Sequence, residues 1–435
     1  MSEYKKSFFW FRRDLRLTDN HGLYQALKSS QEVIPLFIFD EGILSKLDDI
    51  YDRRIDFIHR SLQQIDREIK AAGGSGLLVI HGNVKEVWES LINDFNPDAV
   101  FCNHDYEPQA IKRDMDVEKY VHNAGAQFRS YKDQVIFEEE EILKADGMPY
   151  TVFTPYSKSW RENFSSEKAV PFPSEELLER FSRVKIPEIP KLTEIGFEQT
   201  DLKVPPIELS SNINHYDKVR DIPSLDATSR MSVHLRFGTV SIRKLVNRAI
   251  KLNDVFLSEL IWREFFMMII YHFPESVHKE FREKYRGIQW RNSDEDFQRW
   301  CQGKTGYPIV DAGMRELNST GFMHNRVRMI TASFLVKHLL IDWRKGERYF
   351  AKKLLDFDLS ANIGNWQWAA GTGCDAAPYF RIFNPYSQTE KFDKNLEYIK
   401  RWAPEFGSED YPEPMVDHKE ARERALRVYK EGIKN

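Results

Sequence analysis

The stretch KSFFWFRRDLRLTDNHGLYQALKSSQEVIPLFIFD, residues 6–40, decides the fold. KSFFWF and VIPLFIFD read as buried strands, and DNHGLYQAL between them has a helical pattern. GLLVIHG (76–82) and AVFCN (99–103) repeat the strand signal, separated by helical RRIDFIHRSLQQIDREIKAA (53–72) and NVKEVWESLIND (83–94). Strands alternating with helices imply a parallel, doubly wound, Rossmann-like sheet. AGGSG (72–76) precedes a strand instead of following one, so it ends a helix and is no dinucleotide fingerprint.

The chain has 435 residues, 41% hydrophobic and 30% charged, which fits a folded protein of two or three domains. No apolar run approaches the roughly 18 residues of a membrane span. The opening MSEYKKSFFWFRRDLRL sets arginines and an aspartate directly behind its apolar patch, unlike a signal peptide. Cys102, Cys301 and Cys374 stand far apart, which argues for a reduced, cytoplasmic setting and against a disulfide frame or zinc site. HExxH, Walker and GxSxG motifs are missing, which removes the common hydrolase and metalloenzyme classes. A net charge of −4 does not advertise a nucleic-acid binder, yet a local basic face would suffice for one.

The alternation stops near residue 130. Proline-rich, polar VPFPSEELLERF, KIPEIPKL and KVPPIELSS make 131–225 an extended connector. Beyond it, SIRKLVNRAIKL, SELIWREFFMMIIYHF, GYPIVDAGMRELNSTG and NRVRMITASFLVKHLLIDWRKG are helical, the last expected to run from Asn325 to Gly346. The expected domains are an α/β domain over 1–130, the connector, and a helical domain over 226–435.

Several helical-domain positions could carry chemistry. Glu259, Trp262 and Arg263 share one helical face. Thr228, Ser229, Arg230, Met231 and Ser232 open a helical pattern, where hydroxyls and free N–H groups suit a phosphate or a plain N-cap. Asn325, Arg326 and Arg328 open another. Asp356, Asp358 and Asn362 could recognise the polar edge of a flavin; metal binding by the two aspartates lacks a supporting His or Cys cluster. Core packing is the default for Trp290 and Trp343. In NIGNWQWAAGTGCDAAPYFRIFNP (362–385), Trp366 and Trp368 stand about 200° apart on a helix and must serve different surfaces.

WFRRDLRLTDN, ELIWREF, KTGYPIVDAGMRELNSTGFMHNRVRMITASFL and NWQWAAGTGCDAAPYFRIFNP together resemble the photolyase/cryptochrome family, over about residues 6–425. The likeness is strongest to its class I cyclobutane pyrimidine dimer photolyases. It implies an FAD held by Tyr216, Thr228, Ser229, Arg230, Met231 and Ser232 at its phosphates and ribityl chain. It also implies that Glu259, Arg263, Arg328, Asp356, Asp358 and Asn362 hold or face the flavin, with Asn362 toward N5. Trp366, Trp343 and Trp290 would form a chain for electrons. Glu259, Trp262, Asn325, Met329 and Trp368 would line a cavity for a flipped-out pyrimidine dimer, and Arg220, Arg326, Arg381 and Lys391 would clamp DNA phosphates.

The implied partner is damaged DNA, with no membrane and no metal, and a monomer is expected. Signalling relatives often carry Asp or Cys at the place of Asn362, and plant-type ones lack the indole of Trp262. A (6-4) photoproduct enzyme would carry His at Asn325, and the chain ends soon after the family core, so repair of cyclobutane dimers is the expectation. A flavin oxidoreductase working in the dark would leave the three tryptophans unexplained. The family's folate-binding Asn–Glu pair after "YE" is here Gln109 and Ala110. A second, antenna chromophore is therefore left open between a folate in another pose, a deazaflavin, or none.

Overall fold

The computed structural model describes residues 2–434, which group into two compact units. The first comprises residues up to Glu141 together with Asn163–Glu208 and Arg230–Lys251. The second comprises Ile142–Glu162, Leu209–Ser229 and Leu252 onward.

The first unit is built on five parallel strands: β1 (Tyr4–Phe11), β2 (Ser30–Asp40), β3 (Leu78–Gly82), β4 (Ala99–Asn103) and β5 (Gln127–Tyr131), in the order β3-β2-β1-β4-β5. Four longer helices link them: α1 (His21–Ser29), α2 (Arg53–Ala71), α3 (Val84–Phe95) and α4 (Pro108–Asn123). Strand order reverses between β1 and β4, so the sheet is doubly wound as the apolar runs required. Ser7–Phe11 are all buried, and Trp10 packs edge-on to Trp88 at 5.4 Å. Helix α2 stops at Ala71, and Gly73 takes φ +90°, a left-handed exit that favours glycine.

Residues 230–251 join this unit through charge. Arg243 reaches Asp19 at 2.8 Å and Asp133 at 2.7 Å, and Arg16 reaches Asp133 at 2.6 Å. Burial alone would raise the Asp133 carboxyl, but the two guanidiniums overcome it and hold it at about 2. The unit limits therefore run differently from the compositional ones at 130 and 225. The proline-rich stretch also carries regular structure, including the helix Phe153–Asn163 and several 3₁₀ turns.

In the second unit the principal helices are α5 (Asp254–His272), α6 (Pro308–Thr320), α7 (Asn325–Ser333), α8 (Trp343–Lys353), α9 (Leu359–Ala370) and α10 (His418–Gly432). One expectation is corrected. NRVRMITASFLVKHLLIDWRKG is not a single helix ending at Gly346. Helix α7 widens into a π turn over Phe334–His338, the chain breaks with Leu340 at φ +49°, and Asp342 caps the new helix α8 by accepting from Arg344 N at 3.0 Å. Asp342 is an N-cap hidden inside an apolar run, and Gly346 lies within α8. Among the described residues, no helix is long and apolar enough to cross a membrane.

The π turn places His338 in the core, 1% exposed, with Nε2 2.8 Å from Nδ1 of His418 at the start of α10. Burial, then the neighbouring His418 and Arg424, push His338 down to about 3. A histidine with a depressed folded pKa stabilises above its ordinary value and loses that contribution as pH falls toward the folded one. Thermal stability should therefore decline between about pH 6.5 and pH 3, and His338→Gln should flatten part of that decline in a melting series.

Candidate functional site

Helices α7, α8 and α9 of the second unit line an open cleft, to which Arg328, Asp356, Asp358, Asn362 and Trp366 contribute. Arg328 donates two hydrogen bonds to the Asp356 carboxylate, at 2.9 and 3.1 Å, and a third from Nε to the Met323 carbonyl at 2.7 Å. The Asp356 side chain is almost fully buried, so the guanidinium both neutralises and orients it. Two residues on, Asp358 caps α9 by accepting from Ala361 N at 3.1 Å, and it also accepts from the Ser360 hydroxyl.

Asn362 follows one turn into α9. Its amide nitrogen donates to the Glu347 side chain at 2.8 Å and to the Glu347 carbonyl at 3.1 Å. This fixes the carboxamide rotamer. Burial raises the Glu347 carboxyl above its ordinary range, with Asn362 opposing. Glu347 had no signal of its own in the sequence; only the fold brings α8 against α9.

Trp366 is 2% exposed and meets Phe350 edge-on at 5.0 Å and Trp300 at 6.1 Å. It belongs to the same apolar cluster as Trp343, with Trp290 packed on that cluster's edge. Trp300, fully buried, was not singled out in the sequence and is the indole directly against Trp366. Trp368 is half-buried and tilts over Phe383 at 6.5 Å. The two tryptophans do face different neighbours, yet both also touch the cleft. Asn325 and Met329, one turn apart on α7, line it with Trp368, as does Asn365.

A second group of expected residues sits outside that lining. Glu259 is ion-paired with Arg220, and Arg220 lies 5.6 Å over the ring of Tyr216. Burial raises the Glu259 carboxyl, outweighing the attraction of Arg220, and pushes the Tyr216 hydroxyl up as well. Trp262 stacks on Phe153 at 3.7 Å and 7°, so one indole face is covered. Arg263 lies half-buried beside it on α5.

Thr228 and Ser229 close one segment of the second unit; Arg230, at φ +50°, Met231 and Ser232 open the next segment of the first. Of the expected DNA contacts, Arg326 is held by Asp221 at 2.8 Å and lies over Phe392, whereas Arg381 and Lys391 are exposed. Among the described residues no group of three or more His, Cys, Asp or Glu could hold a metal.

Residues 7–176 match the model of the DNA photolyase domain, and residues 256–409 match the FAD binding domain of DNA photolyase. A deoxyribodipyrimidine photo-lyase of Agrobacterium fabrum is 35% identical over 97% of this chain and 96% of its own. Two solved structures share the fold. A class III photolyase from Agrobacterium tumefaciens has a TM-score of 0.88 at 32% identity, covering 100% of this chain and 99% of its own. A cryptochrome of Synechocystis has a TM-score of 0.83 at 25% identity, covering 98% and 100%. This chain belongs to the DNA photolyase family. Its second unit carries the FAD-binding module, and FAD is its cofactor.

Gly346 sets how closely α8 meets Trp366. A Cβ there would fall 2.2 Å from the indole and 2.5 Å from Leu335. Gly346→Ala should cost about 1–3 kcal/mol of stability and shift the fluorescence of the buried indoles. Chemical denaturation followed by tryptophan emission measures both.

Proposed function

We propose that this chain is a light-driven deoxyribodipyrimidine photo-lyase acting on cyclobutane pyrimidine dimers in DNA. One observation carries the reading. A single cleft joins a buried polar end, suited to a flavin's hydrogen-bonding edge, to a rim of Asn325, Met329, Asn365 and Trp368 open to a second ligand.

The residues at the buried end fit FAD. Asp356 is an acceptor held by Arg328, and Asn362, with its N–H₂ committed to Glu347, has only its oxygen left to offer a ligand. When bound in reduced form, FAD supplies light absorption and a transferable electron. Trp366, with Trp343 and Trp290 in and on the same cluster, offers a packed indole route from the cleft toward the surface. Trp300 lies directly against the first of these.

At the rim, Asn325, Met329 and Trp368 receive the flipped-out dimer. Glu259 and Trp262 hold its outer side, with burial raising the Glu259 carboxyl and Arg220 opposing. A dimer is already poorly stacked, which lowers the few kcal/mol that extrusion requires. Arg220, Arg326, Arg381 and Lys391 contact phosphates, the first two only by competing with Glu259 and Asp221. Thr228 and Ser229 of the second unit hold the FAD phosphates. The reaction opens the cyclobutane ring, restores two pyrimidines and leaves no net change in oxidation state.

The test uses chemically reduced protein with an oligonucleotide bearing thymine cyclobutane dimers, following thymine absorbance in near-UV light and in the dark. Recovery in light alone is expected. Absence of recovery from FAD-loaded protein would contradict the reading and favour (6-4) repair or a photoreceptor of the cryptochrome kind. Trp366→Phe should slow photoreduction of the oxidised flavin while leaving repair by pre-reduced protein within about twofold. A collapse of both would remove Trp366 from its proposed role.

A further inference from the structure

Helix α9 has one exposed residue, Asn365, and it is among the residues that line the cleft. Ala361, Asn365 and Trp368 fall one turn apart and line it together. Asparagine is a poor choice for the interior of a helix whose other positions are buried or half-buried. Its amide nitrogen bonds back to the Ala361 carbonyl at 2.7 Å, which pins the side chain. The carboxamide oxygen then has no hydrogen bond among the described residues, and the residue lines the cleft. Asn362, one turn earlier, is buried and committed to Glu347. Asn365 lies about 4.5 Å further along the axis, toward the rim that Asn325 and Trp368 complete.

An acceptor without a donor partner selects what can lie against it. The internal sugar–phosphate backbone of DNA offers no strong donor, because its phosphates are ionised and its sugars carry no free hydroxyl. Pyrimidine edges do offer one: the imide N3–H of thymine or the exocyclic amine of cytosine. Forming a cyclobutane dimer saturates C5 and C6 and leaves that imide edge intact. We propose that Asn365 is a substrate-contacting residue whose side-chain oxygen accepts a hydrogen bond from the N3–H of a pyrimidine in the cleft. The proposal rests on the repair reading above and adds to it a group that recognises the base rather than the backbone.

The test compares dark binding of wild-type protein and Asn365→Ala to two oligonucleotides, one with a thymine dimer and one with the same dimer methylated at N3. FAD content and melting temperature are recorded for both proteins. Loss of one neutral hydrogen bond should weaken binding of the unmethylated dimer about 5-fold in Asn365→Ala. N3-methylation should weaken wild-type binding and add nothing to the variant's loss, and FAD content should stay unchanged. Equal affinity of the two proteins for the unmethylated dimer overturns the proposal. So does an equal penalty from methylation in both, or a loss of FAD in the variant, which would place Asn365 against the cofactor instead. Wild-type protein that opens thymine dimers in light while Asn365→Ala binds them normally overturns this proposal alone. Wild-type protein that opens none overturns the repair reading and this proposal with it.

Discussion

The pairing of Arg328 with Asp356 is the constraint from which the rest of the site follows. A carboxylate this deeply buried needs a partner charge, and Arg328 supplies two hydrogen bonds while its third anchors it to the Met323 carbonyl. That ties helix α7 to the turn leading into α9. Asp358 then caps α9, Asn362 follows one turn later and Trp366 one turn after that. The position of each polar group and indole in the cleft descends from where that helix starts. Removing Arg328 would strand a buried carboxylate.

Small residues set the other half of the geometry. Gly346 lets α8 approach Trp366, and Gly364 lets α9 approach Phe266, where an added Cβ would lie 2.2 Å from the ring. The indoles are packed rather than merely present in the same domain. Close packing is what allows a large, oxidisable side chain to stay in one place.

Much of this was legible in the sequence because the signals were local. Four of the five strands are apolar runs, and β1, β2 and β4 form the buried middle of the sheet. The fifth, β5, is an edge strand with only exposed and half-exposed residues, so QFRSY carried no apolar pattern. The break at residues 339–342 was hidden because an apolar run continues through it, and only the Asp342 cap marks the new helix. Residues 230–251 look like the helices after them, yet Arg243 holds them to the first unit through Asp19 and Asp133. Within the site, Asp356, Asp358, Asn362 and the tryptophans were found by local spacing and by resemblance. Glu347, Phe153 and Trp300 were not, because each acts through a tertiary contact that no short motif records. Asn365 could have been found: it stands three residues from both Asn362 and Trp368 on one helix.

The most direct measurement titrates FAD into apoprotein, wild type against Asp356→Asn, by flavin fluorescence, with the fold of each checked by circular dichroism. If the Arg328–Asp356 pair organises the cofactor site, the folded variant should bind FAD at least about tenfold more weakly. A folded variant that binds FAD as tightly as wild type would contradict the account.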